Sequence, residues 1–182
     1  MRLLPKLNAN RRTILLSTWG LFTGLALLLI TAGVYSTLVG IRAELKNLPT
    51  IVSGGITTAY YAGFLLGSWY TLRALKQVGH IRVYAALASL LSASILIAGA
   101  YDSPLVWIIM RSSTGFCFAG LYVVAESWLN GLATNTFRGR LLAMYNVVTI
   151  GAYGVGQLLV FNFDARTLTG FAFAAVVSSL AV

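Results

Sequence analysis

Apolar and polar positions divide the chain into long greasy runs parted by short polar breaks. The first run covers residues 14–39 and opens behind Arg11 and Arg12. A break carrying Arg42, Glu44, Lys46 and Pro49 follows. The second run, 51–72, is the least apolar, with Thr57, Thr58, Tyr60, Tyr61, Ser68 and Trp69 inside it. Arg73 to Arg82 forms a basic turn around Gly79. The third and fourth runs, 83–100 and 105–129, are separated by Tyr101-Asp102-Ser103-Pro104. A polar stretch over 130–140 precedes the fifth run, 141–163, and after Asp164-Ala165-Arg166 a sixth, 167–182, is still apolar at Val182. These runs are continuous rather than alternating, which excludes barrel strands, and a helix needs about 20 apolar residues to cross ~30 Å of hydrocarbon. The pattern predicts an all-α membrane protein, a bundle of six transmembrane helices with the sixth incomplete.

Composition removes the soluble alternatives. Apolar residues make up 58% of the 182 and charged residues 9%, against roughly 45–50% and about 25% in soluble domains. Four acids, thirteen Lys or Arg and one His are too few to coat a water-facing surface. The first run exceeds the ~7–15-residue core of a secretory signal and reads as a retained span.

The net charge of +9 is explained by where the charges fall. Arg2, Lys6, Arg11, Arg12, Arg73, Lys76, Arg82, Arg138 and Arg140 lie on one side of the predicted spans. Arg42, Lys46 and Arg166 lie on the other, beside Glu44, Asp102 and Asp164. The positive-inside bias makes the first side, and the N-terminus, cytoplasmic, in a cell (inner or plasma) membrane. The basic residues are spread over three loops and make no single stripe, so nucleic acid is not a partner.

Groups able to do chemistry are few. Arg111 stands within the fourth run, where a central Arg costs about 2.5–3.5 kcal/mol to insert, so it faces a cavity or a partner. The competing reading is that it snorkels to the outer interface, seven residues from Pro104. On a 3.6-residue period Arg111, Gly115, Phe118, Tyr122 and Glu126 share a stripe. Glu126 lies too far along the helix to pair with Arg111, and Arg73, Arg82, Arg138 and Arg140 are its expected partners. Softer polar stripes align Thr57, Tyr61, Phe64, Ser68 and Thr71 in the second run, Asn146, Tyr153 and Gln157 in the fifth, and Trp19, Thr23, Gly33 and Thr37 in the first. These stripes either line a watery pathway or hydrogen-bond a neighbouring helix. Gly63, Gly67, Gly151, Gly154 and Gly156 permit close helix contact, and Trp19, Trp69, Trp107 and Trp128 read as interfacial anchors. His80 reads as a solvated loop residue and Cys117 as a packing residue. No acid, His or Cys faces another to make a catalytic dyad, and neither metal-ligand spacing nor a phosphate-cradling glycine loop occurs. The expectation is no enzyme, no cofactor and no metal.

Six spans, an inside N-terminus, a basic glycine turn after span two and an intramembrane Arg in span four resemble the N-terminal half of a major facilitator superfamily transporter, a twelve-helix fold. Gly63 and Gly67 through Arg73, Lys76, Gly79 and Arg82 stand where that family carries its cytoplasmic loop signature. Arg111-Ser-Ser-Thr-Gly115 is similar to its Arg-x-x-x-Gly signature in helix four. The stretches Gly79-His-Ile-Arg82, Gly115-Phe-Cys-Phe-Ala-Gly120, Glu126-Ser-Trp-Leu-Asn130 and Arg138-Gly-Arg140 resemble the YcaD-like branch of permeases. Two departures stand out. Lys76 occupies the position where the loop signature has an Asp, and span five has no proline, so the antiporter glycine-proline signature is not reproduced. The inverted three-helix repeat of the family is not legible in the residues.

The resemblance implies a secondary active transporter, ion- or proton-coupled, moving a small solute by alternating access, with a C-terminal half absent from this chain. Spans one, two, four and five would line the cavity, with Arg111 and Glu126 the transport or coupling candidates. Thr23, Thr37, Thr57, Tyr61, Tyr122, Asn146, Tyr153 and Gln157 are the cavity-lining candidates. The expected partners are lipid, a small-molecule substrate, protons and the other half. Two alternatives stay open: a complete six-span half-transporter working as a dimer, and a non-transporting membrane receptor or scaffold.

Overall fold

The computed structural model describes the backbone of residues 4–132 and 138–181, and the side chains of 19–131, 139 and 141–181. Within these limits the protein is helical throughout: α1 (Leu4–Leu45), α2 (Thr50–Val78), α3 (His80–Ala100), α4 (Pro104–Leu132), α5 (Arg138–Leu159), a 3₁₀ turn (Val160–Asn162) and α6 (Thr169–Leu180). Four segments are long and apolar enough to cross a membrane: Trp19–Leu45, His80–Ala100, Pro104–Gly131 and Leu141–Asn162. Length and composition therefore support four of the six expected spans. α2 has the length, but its hydroxyls and glycines dilute its hydropathy, and α6 is a shorter apolar helix.

The connections follow local chemistry. α2 and α3 are joined by Gly79 alone, at φ +88°, a left-handed value that costs glycine nothing. Its N–H closes α2 by bonding to the Leu75 carbonyl at 3.2 Å. Asn47, at φ 51°, makes the turn between α1 and α2, where Asn tolerates the left-handed region better than most residues. Pro104 opens α4, a first-turn position where its missing N–H costs no hydrogen bond.

α1 corrects the expected boundary. It runs through the predicted break at Arg42 to Leu45, because Arg42 is not a solvated loop charge. Its side chain is buried and its guanidinium is satisfied from three elements. Nη2 meets Asp102 at 3.2 Å and the Arg166 carbonyl at 3.2 Å, and Nη1 donates to the Gly99 carbonyl at 2.8 Å. The Phe171 ring covers it at 5.0 Å. Lys46 joins Asp102 at 3.1 Å. Trp107 is corrected likewise: it is 2% exposed, and its indole N–H reaches the carbonyls of Ala98 and Tyr101 at 3.1 and 2.8 Å. It pins the end of α3 to α4. Trp19 and Trp69 do remain exposed.

Helix neighbours form an open series, α5–α1–α6–α3–α4–α2, in which α3 also touches α2 lightly. α1 and α4 also touch lightly, and α2 and α5 share no extensive contact. The two outer crossings are built alike. A methyl at Gly63 would overlap the Ser112 carbonyl, and one at Gly115 would overlap that of Tyr60. A methyl at Gly156 would overlap the Ile30 carbonyl, and one at Gly33 that of Tyr153. Both crossings therefore bring backbones into contact, which only the missing Cβ allows. One displacement along the chain carries Ile30 and Gly33 to Ser112 and Gly115; another carries Tyr60 and Gly63 to Tyr153 and Gly156. Exchanging α1–α2–α3 with α4–α5–α6 thus maps one crossing onto the other. Flanking hydroxyls obey the same exchange: Thr31 on α1 donates to the Ala174 carbonyl of α6 at 3.2 Å, and Ser113 on α4 meets Ser94 of α3 at 2.8 Å. The inverted repeat is present in the packing.

Candidate functional site

α3 and α6 pack against each other through Ser92 and Ala175 and through Gly99 and Phe171, behind α1 and α4. On the other side α1, α2, α4 and α5 line two adjoining open cavities of about 640 and 580 Å³. The larger is lined by residues including Tyr35, Ser36, Glu44, Thr57, Tyr60, Tyr61 and Arg111. The smaller is lined by residues including Ser68, Val123, Glu126, Tyr145 and Ile150. Phe64, Tyr122 and Tyr153 border both, so three aromatic side chains stand between the two. Each volume falls in the ~300–1,000 Å³ typical of small-molecule sites.

Arg111 lies in the wall of the larger cavity and is 8% exposed. The glycine crossing at Gly63 and Gly115 draws α2 against α4 and brings Tyr60 over the guanidinium at 4.8 Å, while Tyr35 approaches from α1 at 5.4 Å. Both rings are within the ~6 Å over which an aromatic face attracts a cation. No carboxylate among the described residues pairs with Arg111, and its Nε and the Tyr35 hydroxyl are buried without a hydrogen-bond partner. Arg111 thus faces the cavity from a buried position, not the outer interface.

Glu126 is exposed toward the smaller cavity, where the Tyr145 hydroxyl of α5 donates to its Oε1 at 3.0 Å. The expected ion pairs with Arg73 and Arg82 do not form. Arg73 stacks on Trp69 at 3.5 Å, and Arg82 is exposed. The side chains of Arg138 and Arg140 lie outside the described residues.

Of the eight cavity candidates, Thr57, Tyr61, Tyr122 and Tyr153 line the central space. Thr37 and Gln157 instead line a separate cleft near Asp164 and Arg166. Thr23 and Asn146 are exposed outside both cavities, and the Thr23 hydroxyl turns back to the Trp19 and Gly20 carbonyls. Within the loop signature Gly63 and Gly67 meet the backbone of α4, Gly79 makes the turn, and Arg73, Lys76 and Arg82 are exposed. His80, expected to be free in a loop, starts α3, and its Nε2 lies 3.0 Å from Ser127 Oγ at the end of α4. Sequence reasoning missed Tyr35 and Tyr145. The signal for Tyr35 was an intramembrane Arg without an acid in reach, which calls for a π face.

This arrangement defines a multi-pass helical membrane protein with an open, solute-sized cavity between its helices. The family model described as "Sugar (and other) transporter" matches residues 20–180. Proteins described as "Uncharacterized MFS-type transporter YcaD" from Salmonella newport, Salmonella typhimurium and Salmonella typhi are each 33% identical over 148 residues, 81% of this chain. That match spans 39% of each relative's length. No solved structure matches. The chain belongs to the major facilitator superfamily, a family of membrane transporters rather than enzymes.

Proposed function

We propose that this chain forms the six-span N-terminal half of a secondary active transporter that moves a small solute by alternating access. The observation that carries this reading is the cavity itself. It is walled by α1, α2, α4 and α5, holds one buried cation, and is backed on the far side by α3 and α6. The curated relatives extend well beyond the matched stretch, and a second half of the same fold would complete the wall between α2 and α5. Rocking of the two halves would then expose the space to each side in turn. The N-terminus and the Gly79 turn are assigned to the cytoplasm, in a cell (inner or plasma) membrane, from the distribution of Lys and Arg.

Within this reading Arg111 holds or senses charge in the cavity. A guanidinium does not release its proton in a protein, so Arg111 acts by attracting an anion or biasing a nearby acid, not by carrying protons. Glu126, in the adjoining cavity and held by Tyr145, is the candidate for coupling to protons. The test is solute flux in proteoliposomes containing the full-length protein. Arg111→Ala is expected to abolish saturable flux, and undiminished flux would remove Arg111 from the mechanism.

A further inference from the structure

We infer that the solute taken by this cavity is a small organic monoanion, a carboxylate carried on an apolar or aromatic body, with Arg111 as its anchor. The inference rests on reading the cavity as the solute site and adds the chemical class of the solute.

Three observations converge on that class. Arg111 is more than nine-tenths buried, yet among the described residues no carboxylate pairs with it and its Nε has no hydrogen-bond partner. A desolvated guanidinium in that state presents N–H donors in a planar fork, the geometry that matches a carboxylate. Tyr35 and Tyr60 hold the cation over their rings at 5.4 and 4.8 Å, and such contacts leave N–H donors of the guanidinium for an incoming carboxylate. Beside the hydroxyls of Ser36, Ser53 and Thr57, the lining offers aromatic and aliphatic surface, with Tyr61, Phe64, Phe118, Tyr122 and Ile56 around the same space.

A neutral sugar is a poor fit to that surface, whatever the breadth of the family. Amide side chains, which offer a polyol both donors and an acceptor, are missing from this lining among the described residues. Asn146 and Gln157, the two amides expected here, lie elsewhere, and the Thr57 hydroxyl is bonded to the Ser53 carbonyl at 3.2 Å. The one acid lining the larger cavity is Glu44. It stands nine residues beyond Tyr35 on α1, about 13 Å along the helix axis, too far to neutralise Arg111. A single net negative charge balances the single cation, and a second would lack a partner.

Equilibrium binding to the detergent-purified full-length protein tests this, with radiolabelled benzoate, phenylacetate and hexanoate as probes. Benzamide serves as the neutral isostere of benzoate, and glucose as the polyol. Saturable binding of at least one carboxylate is expected, displaced by the other monocarboxylates and by neither benzamide nor glucose. Arg111→Gln is expected to weaken it by roughly tenfold or more, the loss of a charge-assisted bond, with Arg111→Lys intermediate. Tyr60→Leu, which leaves the charge in place, should weaken binding to a lesser extent, and size-exclusion profiles check that each variant is folded. Competition by benzamide or glucose equal to that of benzoate overturns the inference, as does equal affinity in folded Arg111→Gln. So does an absence of binding by all three probes, the result expected if a carboxylate of the protein itself neutralises Arg111. Flux measured separately keeps the two readings apart. Saturable movement of a neutral solute without carboxylate binding refutes the solute class alone; carboxylate binding without movement of any solute refutes transport alone.

Discussion

Arg42→Ala should be among the most damaging substitutions outside the cavity, and the damage should come from orphaned carbonyls more than from a lost ion pair. The wild-type guanidinium joins α1 to the end of α3, to Asp102 and to the segment before α6 through three contacts of 2.8 to 3.2 Å. Hydrogen bonds to a charged donor are worth about 1.5–3 kcal/mol each, and an orphaned buried acceptor costs a further ~1–3. Gly99 is buried, so its carbonyl has no easy replacement. Asp102 is 52% exposed and keeps Lys46 at 3.1 Å, so its share stays near the ~1 kcal/mol of a surface pair. The expected costs are about 3–4 kcal/mol for Arg42→Ala and about 1 kcal/mol for Asp102→Asn. Arg42→Lys should recover little, since one ammonium does not reach three divergent acceptors. Thermal unmasking of buried Cys117, followed with a thiol-reactive dye in a background lacking other thiols, gives the ranking. If Asp102→Asn proves as costly as Arg42→Ala, or Arg42→Lys as stable as wild type, the carbonyl cluster is not what holds this end together.

Two further substitutions separate packing from propensity and hydrogen bonding from bulk. Gly63→Ala forces a methyl against the rigid Ser112 backbone and should cost about 1–3 kcal/mol. Gly54→Ala, with open space at its Cβ position, should be neutral or stabilise α2 by up to about 1 kcal/mol; equal effects in the melting assay would deny the crossing its role. Trp107→Phe keeps most of the buried ring but leaves the Ala98 and Tyr101 carbonyls without their indole donor. A loss of about 1–2 kcal/mol is expected, and a melting temperature equal to wild type would count against it.

The all-helical class and the four long apolar spans were readable because lipid imposes a one-dimensional signal, an apolar run of fixed length. That signal fails where polar atoms are satisfied inside the protein. Arg42 looked like a loop marker because its acceptors are brought to it from residues 57 and 124 positions away. Trp107 looked like an interfacial anchor because its position near a span end does not show that the end of α3 folds back to accept its indole N–H. On α2 and α4 the stripes given by helical periodicity meet in one place, with Thr57, Tyr61, Tyr122 and Arg111 lining the same space. It did worse on α1 and α5. There a period gives a stripe but not its azimuth, and Thr37 and Gln157 meet in a different cleft. The repeat escaped notice because the exchange preserves crossing chemistry, a tyrosine and a few glycines, and little else of the sequence.

That exchange also distinguishes what the fold requires from what the cavity requires. It carries Gly33 to Gly115, Tyr60 to Tyr153 and Thr31 to Ser113, all positions at helix crossings. The displacement that relates α1 to α4 pairs Arg111 with Leu29 and Tyr35 with Cys117. Leu29 and Cys117 are both buried, so the equivalent location folds with no cation and no phenol. The structural demand at this position is therefore met by an aliphatic side chain, and Arg111 is surplus to it. Arg111→Leu should leave stability unchanged or raise it by on the order of 1 kcal/mol, because a desolvated charge without a described counter-ion is removed. Flux and carboxylate binding should be lost in the same variant. A folded Arg111→Leu protein that melts normally and is inert places the residue in the cavity's chemistry. A variant destabilised by more than about 2 kcal/mol, the mark of a broken buried network, would show that Arg111 holds the helices together and that the asymmetry with Leu29 is a packing difference.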